Sequence, residues 1–327
     1  MGVRASIRRG ALTVGRTGPM QRLLRLYEDQ GLVAPAVVAT DDAEARARRD
    51  LWDRYLPRLP QPTLEDLTEH LDDSDLPPLD RAGVDPSTLT ADQRQWWEEG
   101  FVLKEGFIPD DLLDAYWARR SQLEDLGGWP QGAPYLTVPE ALNLSVYRPL
   151  VDLLGELIGE PMAVNLNLTG IVSTERNWHQ DDYLNYSGTK SWYCAVWFAV
   201  KDIDPESGPF QYVPGSHRWP VVRRDRIRLF LPPEDREGNQ WPKKTEAILD
   251  PVLIEEIARR GAEVRTFLGK KGDVLIWHGR LVHRGSPPAV PGTIRHSFIA
   301  HYTGINHWAN GPNVGHHPDG GMYFLDA

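Results

Sequence analysis

The chain has 327 residues, of which 41% are hydrophobic and 25% charged, and its net charge is −10. That is ordinary for a soluble globular protein. It disfavours nucleic acid as a partner, because no dense Lys/Arg stripe sits among aromatics. No run approaches the ~20 apolar residues of a membrane-spanning helix. The single cysteine, Cys194, lies in an apolar run, so no disulfide framework is possible within the chain and a cytoplasmic setting is expected. Any metal must be held by nitrogen and oxygen.

The first 27 residues hold six arginines and no acid. They lack the apolar core of a secretory signal and read as a basic arm. Residues 41–55 (DDAEARARRDLWDRY) read as a helix, with Asp41 as its cap and Glu44 at the reciprocal position. Proline-dotted segments follow (LPRLPQPT, LPPLD), so residues 1–87 are expected to form an N-terminal helical and flexible extension.

Residues 88–327 are expected to form the main domain. ADQRQWWEEGFVLKEGFIPDDLLDAYWARR reads as helix, short strand, turn and helix. Residues 150–158 suggest another helix. Strands then dominate: MAVNLNLTGIV, SWYCAVWFAVKDI, GPFQYVPGS, EVRTFL, DVLIWH and IRHSFIAHYT are short and rich in β-branched and aromatic residues. No strand–helix alternation carries a dinucleotide glycine fingerprint. The pattern predicts a mainly β fold with flanking helices, a double-sheet jelly roll. Residues 221–262 interrupt the strands as a candidate lid or a plain surface insertion. Within them DPVLIEEIARRG reads as a helix capped by Asp250 and stopped at Gly261. The tail holds His307, His316 and His317, read as a surface loop or, more sharply, a flap over substrate.

The chemistry lies in NWHQDDYLN, residues 177–185. In an extended segment His179 and Asp181 point the same way, with Cα atoms roughly 6–7 Å apart, while Asp182 points to the other face. A lone His-x-Asp is common and is as easily a histidine satisfied at a strand end. Two histidines plus one carboxylate on one face of an octahedron is the arrangement of non-haem Fe(II) oxygenases. GDVLIWHGRLVHRGS offers two third ligands, His278 and His283. Arg295, on the next expected strand, is placed to grip a distal carboxylate with a bidentate fork. Asn165 and Asn167 alternate on the strand before the triplet, where one could reach a carboxylate or satisfy a strand edge. Tyr183, Trp192 and Trp197 are candidates for the substrate pocket wall, although buried aromatics are more often core.

Four blocks in order resemble the phytanoyl-CoA dioxygenase family of Fe(II)/2-oxoglutarate oxygenases: DQRQWWEEGFVLKEGFIPDDLL, WHQD, AVWFAVKDIDPESGPFQYVPGSH, and GDVLIWHGRLVHRGS followed by Arg295. The resemblance covers roughly residues 88–303. It implies a cupin-like double-stranded β-helix and iron held by His179, Asp181 and His283. It implies 2-oxoglutarate held by Arg295, with Ser286 as helper and Asn167 as a candidate. His217 of VPGSH is implied to be structural or to line the mouth. HRGS stands where the family more often has HGS, which weakens Ser286 more than Arg295. The implied reaction uses O2 and 2-oxoglutarate to oxidise an unactivated C–H bond of a small metabolite, with release of succinate and CO2. Asp181, which related halogenases replace by a small residue, favours hydroxylation over halogenation and leaves desaturation, epimerisation and ring closure open. The rivals are a cupin-like small-ligand-binding protein, non-catalytic or differently metallated, and an isomerase; an isomerase has no need of Arg295 to hold a co-substrate. Oligomeric state is not legible in the sequence.

Overall fold

The computed structural model describes residues 62–68, 71–130, 133–173, 176–186, 188–238, 241–309, 311 and 313–326. The helix expected over 41–55 lies outside them. Two sheets face each other. The larger contains β1 (Phe101–Lys104), β2 (Met162–Leu168), β3 (Tyr193–Ala199), β6 (Val274–His278), β8 (Ser297–Gly304), β9 (Val314–His316) and β10 (Met322–Phe324). Its order is β1-β6-β3-β8-β2-β10-β9, and only the β10–β2 pairing among these is parallel. The smaller sheet runs β5 (Arg265–Thr266), β4 (Phe210–Tyr212) and β7 (His283–Gly285). This is the expected jelly-roll, cupin-like core with flanking helices.

Strand alternation sorts the side chains into two layers. On β3, Cys194, Val196 and Phe198 face one apolar cluster, while Tyr193, Ala195 and Trp197 face another between the sheets. The first cluster is covered by α1 (Ala91–Glu99), α2 (Asp110–Asp125), α3 (Pro139–Ser145) and α4 (Arg148–Ile158). Helix α1 starts with a capping box, Thr90 with Gln93, and ends at Gly100. Gly100 has φ +77°, and a Cβ there would lie 2.4 Å from His217 Nδ1, so glycine is required twice over. His217 is buried against Trp97 and the end of α1.

The insertion 221–262 holds α5 (Arg224–Arg228) and α6 (Trp241–Arg260). Sequence reasoning started this helix at Asp250 with Pro251 in its first turn; in the structure α6 begins at Trp241 and Pro251 lies inside it. Asp250 instead accepts a hydrogen bond from the Trp178 backbone N–H at 2.9 Å. A tertiary contact has taken the side chain that local rules assign to a cap. Trp178, Tyr183, Trp219, Ile227 and Leu249 pack together beneath this excursion.

Residues 62–68 and 71–88 form short 3-10 turns and loops rather than a loosely attached helix. Leu64 and Leu67 join the cluster under the insertion, Trp192 Nε1 donates to the Asp75 carbonyl at 3.0 Å, and Asp80 is buried in the main domain. The histidine-bearing tail is also structural. It returns as β9 and β10 on the sheet edge beside β2, and the Tyr135 hydroxyl donates to the Phe324 carbonyl at 2.9 Å.

Candidate metal centre

His179, Asp181 and His283 come together between the sheets, each offering one donor atom, and these atoms all lie within 4.8 Å of one another. His179 and His283 form an isolated antiparallel bridge, each N–H donating to the other's carbonyl at 3.0 Å. The bridge sets the two rings side by side, with centroids 4.2 Å apart. Each ring is then fixed by the same device. His179 Nδ1 lies 2.7 Å from the Asn177 carbonyl, and His283 Nδ1 lies 2.9 Å from the Leu281 carbonyl. A carbonyl only accepts, so each Nδ1 carries the proton and each Nε2 presents a lone pair. Both Nε2 atoms lie 3.6 Å from Asp181 Oδ1.

Asp181 arrives by a different route from the one the alternation rule assumes. Only His179 is in a ladder; residues 181–185 are a bend and turn. The backbone N–H groups of Asp181 and Asp182 both donate to the Gly279 carbonyl, at 2.7 and 3.0 Å. Asp181 Oδ2 accepts from Trp277 Nε1 at 3.0 Å and from the Tyr193 hydroxyl at 3.3 Å. One oxygen is thus held by the protein and the other is left for a ligand. Asp182 turns elsewhere, with Oδ2 3.4 Å from Ser191 Oγ.

The electrostatics suit a cation. Burial alone would raise the Asp181 pKa, but His283, His179, His301 and the Trp277 N–H hold it down to about 2. Burial pushes His179 and His283 below their ordinary range, and neighbouring His283 and Arg176 add to this at His179. At neutral pH the cluster is one carboxylate and two neutral imidazoles, three lone-pair donors with no bound proton to displace. Nitrogen and oxygen donors in a two-histidine, one-carboxylate set are those of a non-haem iron site.

His278 is excluded from the cluster. On β6 it faces the helical layer, its ring tilted against Trp96 at 5.1 Å and bonded through Nε2 to Asp80 at 2.9 Å. Arg295 is buried, with Nη1 donating to Ser173 Oγ and the Gly208 carbonyl, both at 3.3 Å. Its guanidinium lies 4.6 Å from the Trp197 ring centroid. Its Nε has no partner, and among the described residues no carboxylate pairs with it. Burial lowers its pKa to about 10. A buried, unpaired guanidinium is costly unless an anion arrives, so the pocket fits a carboxylate ligand.

Four other expectations change. Asn167 faces the helical layer, not the metal: Oδ1 accepts from the Tyr135 N–H at 3.1 Å and Nδ2 donates to Ser145 Oγ at 3.2 Å. Its ladder partner is Ala300, whose neighbour Val196 belongs to the same helix-facing cluster. Ser286 donates to the Pro209 carbonyl at 2.7 Å, so its hydroxyl is already committed to the loop before β4. Trp192 stacks on His307 at 4.1 Å and belongs to the helical layer. Tyr183 lies under α6 beside Trp241. The residues missed are Trp277, Tyr193 and His301. Period-two alternation carries all three: Trp277 and Tyr193 fall on the inter-sheet face with Leu275 and Ala195, and His301 pairs in register with Ala195.

The fold and this site define the class as far as a cupin-like jelly roll carrying a buried two-histidine, one-carboxylate cluster suited to a metal ion. A family model described as "Phytanoyl-CoA dioxygenase (PhyH)" matches residues 148–297. That segment is similar to the family that the four sequence blocks resemble. A phytanoyl-CoA dioxygenase domain-containing protein 1 homolog of Dictyostelium discoideum is 28% identical over 108 residues, which are 33% of this chain and 34% of the relative. The match thus spans about a third of that relative's length. Among solved structures, EctD from S. alaskensis with bound Fe superposes with a TM-score of 0.51 at 17% identity, covering 77% of this chain and 86% of EctD. EctD with 2-oxoglutarate and 5-hydroxyectoine gives a TM-score of 0.50 at 17% identity, over 76% of this chain and 83% of EctD. These likenesses establish the fold. No helix among the described residues is long and apolar enough to cross a membrane.

Proposed function

We propose that the protein is an Fe(II)- and 2-oxoglutarate-dependent dioxygenase that hydroxylates an unactivated C–H bond of a small cytoplasmic metabolite. The observation that carries this reading is the buried triad, with two Nε2 lone pairs and Asp181 Oδ1 within 4.8 Å of one another. Iron with 2-oxoglutarate and O2 supplies the oxidising chemistry when bound. His179, Asp181 and His283 would hold the metal through two Nε2 atoms and Asp181 Oδ1. Trp277 and Tyr193 fix the carboxylate, so that it presents one oxygen rather than chelating with both. Arg295 anchors the distal carboxylate of 2-oxoglutarate, with Trp197 under its guanidinium; the Ser286 backbone, through Ser173 Oγ, buttresses that anchor. Asp181 fills the position a halide would need, which supports hydroxylation.

The test is anaerobic titration of the Fe(II) protein with 2-oxoglutarate, following the visible metal-to-ligand charge-transfer band. Arg295→Lys keeps the charge but loses the fork, so it should weaken the titration well beyond a conservative change. No band in the native protein, or a band as readily formed by Arg295→Ala, refutes the reading.

A further inference from the structure

His301 stands in a row of side chains that crosses three strands. Ala195 on β3 pairs in register with Trp277 on β6 and with His301 on β8. The small methyl of Ala195 leaves room for both rings, whose centroids lie 6.0 Å apart with planes at 80°. Tyr193 is two residues along β3 on the same face, and it reaches His301 along the diagonal that long side chains span in an antiparallel pair. Its hydroxyl hydrogen-bonds His301 Nδ1. The Tyr193 ring is itself wedged against Gly279, where an added Cβ would lie 2.8 Å from the ring. Gly279 is also the residue whose carbonyl accepts the Asp181 N–H. Backbone packing thus places the Tyr193 ring, and His301 is left to set where its hydroxyl points.

These hydrogen bonds have one consistent direction. Asp181 Oδ2 belongs to an ionised carboxylate and only accepts, from Trp277 Nε1 at 3.0 Å and from the Tyr193 hydroxyl at 3.3 Å. Tyr193 has a single hydroxyl proton, and that bond uses it. The Tyr193 oxygen then accepts from His301, so His301 Nδ1 carries a proton and Nε2 presents a lone pair. The opposite arrangement turns the Tyr193 proton toward His301. It sets two oxygen lone pairs against each other at 3.3 Å and leaves a buried N–H at Nε2, which has no partner among the described residues. Tyr193 and His301 are both buried, so solvent does not supply the missing donor. The chain therefore runs from His301 through Tyr193 to the oxygen of Asp181 that does not face the histidines.

We propose that His301 is a positioning residue of the metal centre: its Nδ1–H orients the Tyr193 hydroxyl, which holds Asp181 Oδ2 and leaves Oδ1 to face the two histidine Nε2 atoms. The inference rests on the metal-binding half of the proposed function and not on the oxygenase reaction. His301 lies outside the cluster of donor atoms formed by His179, Asp181 and His283, so it acts through Tyr193 rather than as a fourth ligand. Without it the Tyr193 hydroxyl is free to turn and Oδ2 keeps only the Trp277 donor. The carboxylate is then free to swing, or to meet a metal ion with both oxygens.

The experiment titrates Co(II) into the apo protein and follows the visible d–d bands, which report coordination geometry, after thermal melts confirm that each variant is folded. His301→Asn places an amide N–H where Nδ1 stood, whereas His301→Gln places its amide near the position of Nε2. His301→Gln and His301→Leu should weaken Co(II) binding roughly 10–100-fold, the range for groups that orient a ligand, and should alter the bands. His301→Asn should stay near native in both. Tyr193→Phe cuts the chain, so adding His301→Leu to it should cost nothing further. A role confined to packing instead lowers the apo melting temperature, spares the bands and adds in full to Tyr193→Phe. Three results overturn the proposal: His301→Leu binds Co(II) as the native protein does, His301→Asn is no better than His301→Gln, or His301→Leu loses as much affinity in Tyr193→Phe as in the native chain. If His301→Leu does not fold, the comparison of His301→Asn with His301→Gln decides. A native protein that binds no Co(II) refutes the metal-centre reading, and this proposal with it.

Discussion

Asp80→Ala removes the acceptor of two buried donors, His278 Nε2 at 2.9 Å and Arg280 Nη2 at 2.8 Å. The Asp80 side chain is 5% exposed and that of His278 0%, so water does not take its place. Breaking a buried pair in this way costs about 3–5 kcal/mol, a fall in melting temperature on the order of 10 °C. The effect reaches the metal centre. The Arg280 N–H donates to His278 Nδ1 at 3.0 Å, and the turn between them presents the Gly279 carbonyl that holds Asp181 and Asp182. Loosening that turn should lower metal affinity roughly 10–100-fold, the range for groups that orient a ligand. Calorimetric melts of the apo protein and Co(II) titration at a temperature where the variant is folded measure the two effects. Burial alone would raise the Asp80 pKa, but His278 and Arg280 outweigh it and hold the carboxyl far below its usual range. Its folded pKa is depressed, so its stabilisation is complete above the unfolded value of about 4 and fades as pH falls below that. The stability gap between native and variant should therefore be flat above about pH 4 and close in acid. A native-like melt, or a gap that widens toward acid, refutes the reasoning.

Asp181→Ala should abolish metal binding while Asp182→Asn keeps it, as read by equilibrium dialysis of Fe(II) or Co(II); the reverse order would overturn the ligand assignment. Trp277→Phe deletes the 3.0 Å bond to Asp181 Oδ2 and should weaken metal binding roughly 10–100-fold with little change in melting temperature. Gly208→Ala should destabilise by about 1–3 kcal/mol in denaturant melts. Its φ is +76° and the new Cβ would meet the Ser286 carbonyl at 2.4 Å. Its carbonyl also anchors Arg295, so 2-oxoglutarate binding should weaken too, and unchanged binding would show that Arg295 does not need that anchor.

What the sequence carried best was anything with a fixed period or a fixed donor set. Strand alternation separates Trp277 from His278 on β6 and so turns His278 toward the helices, whereas the choice of His283, on β7, came from the family resemblance and not from the alternation. The same rule reached Asp181 although the chain turns there, because the Gly279 carbonyl, not a ladder, aims it. Asn167 was misplaced for lack of register: a bulge between Val164 and Leu166 shifts β2 by a residue, and spacing alone cannot reveal it. Asp250 looked like a cap and is a long-range acceptor. Arg176 and Glu246 form an ion pair although they are 70 residues apart and share no motif. Asp80 likewise meets His278 and Arg280 only after the whole sheet has formed. Contacts of this kind depend on tertiary arrangement, and no local pattern encodes them.

The bridge between His179 and His283 has a consequence for how the protein is made. Its two halves meet only when the strand carrying His283 folds back onto His179, so the three-donor cluster has no counterpart in a partly synthesised chain. Premature capture of a metal ion by the nascent polypeptide would thereby be limited to weak, two-donor contacts from the WHQD segment. The apolar layers on either side do not rely on the ion, so chelation should return a folded apoprotein that can be reloaded. The metal can then be treated as an exchangeable part, fitted after assembly is complete.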